Sequence, residues 1–193
     1  MKKARLHANS ISLTDDESLA VLLGAVNSTT TVRDVRSGAR FSLAVEQDEE
    51  VLSVVHHTIA QLLVEPLISL TSLDLTGNIL APDPFAALAE ALSSPACRRL
   101  LVLDMKWVGL GPEGCRVLAG ALRANNSLTR LNLERNGLGW SGGRALGAAL
   151  AVNTSLTSVD LSLNDIGPEG GTAVATALTS NTCLTELMMV RCG

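Results

Sequence analysis

One pattern of apolar and polar positions runs twice through the middle of the chain. Leu128, Leu131 and Leu133 lead to Asn136, Leu138, Gly139 and Gly142, then to Ala145, Leu146, Ala149 and Leu150. The same order returns 28 residues later as Leu156, Val159, Leu161, Asn164, Ile166, Gly167 and Gly170, then Ala173, Val174, Ala177 and Leu178. Leu131 and Leu133 alternate with Arg130, Asn132 and Glu134, the period of a strand with one buried and one wet face. The later apolar residues fall at i, i+1, i+4 and i+5, one face of a helix. Between them, Asn136 carries a short amide that can bond the backbone of a turn no ladder satisfies. A strand that returns to a parallel neighbour through a helix must stack sideways, unit upon unit.

A fixed period in the twenties with L-x-x-L-x-L-x-x-N-x-L is the mark of a leucine-rich solenoid. The 28-residue unit, its full helix and its Gly-x-x-Gly start resemble the ribonuclease-inhibitor type of leucine-rich repeat. That type also occurs in the sensor arms of NOD-like receptors, in Ran GTPase-activating proteins, in tropomodulin-like caps and in ciliary scaffolds. The resemblance implies an α/β horseshoe arc, with parallel strands on the concave face and helices on the convex face. It implies no single activity, because these relatives share none.

The same register is visible elsewhere. Leu70, Leu73, Leu75, Asn78 and Leu80 precede Ala87, Leu88, Ala91 and Leu92, and Leu100, Leu103, Met105 and Leu110 follow. Asn9, Asn78, Asn136 and Asn164 should therefore form one column in one parallel sheet. Val108 stands where an Asn belongs and has no amide, so its backbone should be wider there or bonded otherwise. Residues 1–193 read as a single repeat domain, with a degenerate repeat and insertion at 29–69 and a truncated last repeat at 184–193. Within the insertion, Thr31–Val35 and Phe41–Val45 suggest a small hairpin or an extended loop, and Glu46–Val64 a long helix that Pro66 stops. The basic start and the apolar run Leu19–Val26 are separated by Asp15, Asp16 and Glu17, which argues against a secretory signal. At the other end, Leu184, Leu187 and Met189 should face an unfilled half-repeat, and so either form an end contact with another chain or mark a piece of a longer solenoid.

Composition narrows the function. The chain is 47% hydrophobic, 2% aromatic and without tyrosine, as a core of small interdigitating Leu, Ala and Val layers requires. Its net charge of −4 offers no general attraction to nucleic acid or anionic membranes. No apolar run reaches the roughly 18 residues that a membrane span needs. Cys97, Cys115, Cys183 and Cys192 share no column and no C-x-x-C spacing, so free thiols in a reducing, cytoplasmic setting (cytoskeletal or ciliary among them) are expected. His56 and His57 are adjacent and point about 100° apart on a helix, unable to chelate one ion together. Asn27, Asn125 and Asn153 match the glycosylation pattern, but with Asn181 they occupy one helix-end slot of the repeat. No catalytic set, metal site or cofactor is expected.

The informative surface is the strand face. Its first row reads Asp74, Asp104, Asn132, Asp160 and Met188, with Arg130 alongside; the next includes Lys106 and Glu134. A third row reads Gly77, Trp107, Arg135, Leu163 and Arg191. An exposed Trp beside an Arg is the composition of a binding hot spot. A protein partner is expected on this face, with basic side chains against the aspartates. The function expected is a non-enzymatic scaffold or adaptor in a cytosolic, cytoskeletal or ciliary assembly. By resemblance, the alternatives are a regulator of a small GTPase and the sensor arm of a NOD-like receptor.

Overall fold

The computed structural model describes residues 71–77, 82–95 and 97–193, together with the backbone of two short strands further upstream. The elements are β1 (Thr31–Val32), β2 (Arg40–Ser42), β3 (Ser72–Asp74), α1 (Pro82–Ser93), β4 (Val102–Asp104) and α2 (Gly111–Leu122). They continue with β5 (Arg130–Asn132), α3 (Gly139–Leu150), β6 (Ser158–Asp160), α4 (Gly167–Leu178) and β7 (Glu186–Met188). The seven strands lie side by side in chain order.

From β2 onward every pairing is parallel, but β1 runs antiparallel to β2. β1 and β2 thus form the hairpin that is one of the two forms expected within the insertion, and the sheet is parallel beyond it. Residues 33–39 are too few for the crossover that parallel neighbours need, so a hairpin forms instead. Asn9, Asn27, Asn78, the three histidines and the expected helix at Glu46–Val64 lie outside the described residues.

Register is set by the inward column Leu73, Leu103, Leu131, Val159 and Leu187, each paired with the next. The second inward column, Leu75, Met105, Leu133 and Leu161, is fully buried. Behind it the helices contribute Leu92, Leu122, Leu146, Leu150 and Val174 to the same continuous core. Each such side chain contributes roughly 1.5–3 kcal/mol by leaving water. Strands repeat about every 4.8 Å and packed helices about every 8–10 Å, so the stack curves with its strands inside.

Two files of buried amides lock unit to unit. In the first, Asn136 Oδ1 accepts the N–H of Val108 at 3.0 Å and of Leu110 at 3.2 Å. Its Nδ2 donates to the carbonyls of Met105 at 2.7 Å and Leu133 at 3.0 Å. Asn164 repeats this one unit on, accepting from Asn136 N–H and donating to Leu133 and Leu161. Val108 thus supplies no amide, yet its own N–H is bonded by the unit that follows. In the last unit Cys192 takes the place of the Asn, its Sγ 3.1 Å from the Leu161 carbonyl. The second file, Asn125, Asn153 and Asn181, joins helix ends to the next strand. Asn153 Nδ2 donates to Leu122 and Asn125 carbonyls, and its Oδ1 accepts from Ser155 and Leu156. Asn125 and Asn153 are buried, with the nitrogens a sugar would need already committed inside.

Small residues set the helix spacing. A Cβ on Gly147 would stand 2.6 Å from the Ala173 carbonyl, and one on Gly143 2.8 Å from the Gly170 Cα. α3 and α4 therefore approach at a distance that only glycine allows.

Candidate functional site

The strand face carries three rows of side chains, and the geometry gives each a different task. In the first row the carboxylates and the amide fold back on their own turns. Oδ1 of Asp74, Asp104, Asn132 and Asp160 accepts the N–H two residues on, at 2.8–3.0 Å. These are Asx turns, which hold the chain as it leaves each strand. Asp104 is the most engaged, since its Oδ1 also accepts from Thr76 Oγ1 and its Oδ2 from Asn132 Nδ2 at 3.3 Å. Hydroxyl and amide donors thus stand among the stacked carboxylates, which like charge would otherwise set against one another. Met188 ends the row, and there Ser162 Oγ accepts the N–H of Val190 instead. Arg130, the first residue of β5, is exposed on the same face.

In the second row Lys106 Nζ and Glu134 pair across neighbouring strands at 2.6 Å. The third row is unlike the others. Gly77, Trp107, Arg135, Leu163 and Arg191 all have positive φ, between 53° and 77°. Their position explains it, because the chain must turn toward the helix while still on the ladder. Trp107 N–H donates to the Glu134 carbonyl, Arg135 to Ser162 and Leu163 to Val190. Left-handed backbone costs an L-residue roughly 1–2 kcal/mol, and only Gly77 avoids it.

What the strain holds outward is a contiguous strip. Trp107 is 55% exposed and Leu163 39% exposed. The Arg135 guanidinium carbon lies 5.5 Å from the Trp107 ring centroid, within cation–π range. A Cβ at Gly77 would sit 3.9 Å from Cε3 of the same ring. The structure therefore brings Trp107, Arg135 and Leu163 together, with Asp104, Asn132 and Asp160 in the next rows. Sequence reading placed these residues in rows but missed both the left-handed row and the Asx turns. The signals were present: a glycine at 77 heading the row, and Asp or Asn two residues before each turn N–H.

At the far end Leu184, Leu187 and Met189 are half-buried against the core, and Met188 and Val190 are exposed. On the helix side sequence reading passed over Trp140, 54% exposed, with the Arg144 guanidinium 5.8 Å from its ring. It shares a 28-residue column with Pro112 and Pro168, which would have marked it.

The four cysteines are free. Burial pushes the Cys97 thiol up to about 11 and that of Cys115 up to about 12, so both stay protonated and unreactive at neutral pH. Among the described residues no cluster of His, Cys, Asp or Glu could hold a metal ion, and no helix is long and apolar enough to cross a membrane.

Strand, Asx turn, left-handed corner, buried amide and helix, stacked in fixed columns, define a leucine-rich repeat solenoid. The chain is a leucine-rich repeat protein of the ribonuclease-inhibitor-like type. A family model described as "Leucine Rich repeat" matches residues 124–147 and 152–175. The chain is 42% identical over 67 residues to NACHT, LRR and PYD domains-containing protein 12 of Mus musculus, covering 35% of this chain and 6% of that protein. It is 41% identical over 73 residues to Ran GTPase-activating protein of Drosophila melanogaster, covering 38% of this chain and 12% of that protein. Among solved structures, "Leiomodin-1 Actin-Binding Site 2 (ABS2)" superposes with a TM-score of 0.57 at 21% identity, over 76% of this chain and 80% of that one. The likeness to leiomodin-1 is one of fold. The chain spans only a small part of the curated relatives, and what it shares with them is the repeat. Its coarse role is that of a protein-interaction fold.

Proposed function

We propose that this chain is a non-enzymatic scaffold or adaptor that docks a protein partner on its strand face, centred on Trp107, Arg135 and Leu163. The observation that carries the reading is that row: bulky side chains kept exposed at a backbone conformation that disfavours them. Strained, exposed residues over a rigid sheet are a signature of recognition, and large aromatics with Arg dominate binding energy. The chain itself carries no catalytic activity in this reading. Free buried thiols favour a cytoplasmic setting, and the likeness to a structure titled for actin binding favours a cytoskeletal one within it. The test is capture of partners by the full chain and by Trp107→Ala, compared by mass spectrometry. Partners lost with Trp107→Ala support the reading, and an unchanged set contradicts it.

A second reading is regulation of a small GTPase, favoured by the 41% identity to a Ran GTPase-activating protein. Stimulated GTP hydrolysis by a Ran-like GTPase would support it, and an unchanged rate would remove it. A sensor arm of a NOD-like receptor is the third possibility, resting on the match to the NACHT-containing relative.

A further inference from the structure

We infer that the partner presents an acidic segment with a large apolar side chain between its carboxylates. This rests on docking at the Trp107 row and reverses the partner charge that the aspartate row alone suggests.

The aspartates are poor anchors for a basic partner. Asp74, Asp104 and Asp160 each spend an oxygen on the turn that follows. Both oxygens of Asp104 are occupied by neighbouring strands or its own turn. A Lys or Arg arriving there would compete with bonds that hold the corner. In the second row Lys106 already neutralises Glu134.

The cations of the third row are in the opposite condition. Arg135 and Arg191 are exposed, and among the described residues neither pairs with a carboxylate. They bracket Leu163 in one column, each one strand away from it. Adjacent strands stand about 4.8 Å apart, so the two side chains leave the backbone about 10 Å from each other. A guanidinium offers a planar fork that matches a carboxylate, and stacking on Trp107 orients that of Arg135. Between the forks lies apolar Leu163, continuous with exposed Val190, whose carbonyl accepts the Leu163 N–H. Two unpaired forks around an apolar seat fit a carboxylate–apolar–carboxylate segment. They do not fit a basic one, which would meet like charge at both ends.

The test is selection of a phage-displayed library of random linear peptides on the full chain, with Trp107→Ala as a parallel bait. Peptides specific to the unmodified chain should carry Asp or Glu on both sides of a large apolar residue. One of them, synthesised, should bind the Arg135→Gln, Arg191→Gln double variant at least about tenfold more weakly, and Arg135→Lys should recover only part of that loss. Specific peptides rich in Lys or Arg, or acidic peptides indifferent to the double variant, would overturn this inference and leave docking at Trp107 standing. Peptides enriched equally on both baits, or none at all, would overturn docking at the row and this inference with it.

Discussion

Two columns one residue apart in sequence meet opposite fates. Val108, Asn136, Asn164 and Cys192 are buried, and all but Val108 reach back with their side chains to the unit before. Trp107, Arg135, Leu163 and Arg191, the residues just ahead of them, point outward and tie nothing inside. The same stacking that gathers amides into an interior file gathers large side chains into an exterior strip. The amides of Asn136 and Asn164 therefore sit inside, where they bond, and large side chains, two of them Arg, sit outside on a left-handed backbone. Stability belongs to the first column, and recognition is the role proposed for the second.

Breaking the inner side of that contrast should have the largest effect. Asn164→Ala removes bonds to two carbonyls and to the Asn136 N–H, all in the interior. It should lower unfolding free energy by roughly 3 kcal/mol or more, read by urea denaturation. Asn153→Ala in the helix-end file should behave alike. Gly147→Ala should cost about 1–3 kcal/mol, because its Cβ would meet the backbone of α4 rather than a side chain that can move. Neither substitution at the asparagines should change the charge preference of whatever fraction stays folded.

The outer column should respond with smaller changes, and of opposite sign. Leu163→Gly relieves a left-handed residue while loosening the unfolded chain, so stability should rise by less than about 1 kcal/mol. Peptide or partner affinity should fall at the same time. A stability loss there would mean that Leu163 is packed for the fold, not displayed.

Much of the fold was legible because each unit restates the rule. The leucine columns, the sheet register, the helix faces and the Asn136–Asn164 file follow from a period that recurs in neighbouring units. What escaped notice is backbone geometry. The left-handed corner holds Gly, Trp, Arg, Leu and Arg in turn, so no pattern of polarity reveals it, and Gly77 alone hints at it. The Asx turns escaped because an Asp on a strand reads as a wet residue until its carboxylate is seen bonded to the backbone. The antiparallel β1 was open to either reading, since the residues between β1 and β2 carry no repeat. Rows could be assigned from sequence, but which charges were already spent could not.

Affinity and unfolding measured side by side on Trp107→Ala test the central claim most directly. Binding of the captured partner should weaken by about 2 kcal/mol, while unfolding free energy stays within roughly 0.5 kcal/mol of the unmodified chain. Undiminished binding, or a loss of stability as large as that of Asn164→Ala, would contradict the division between the two columns.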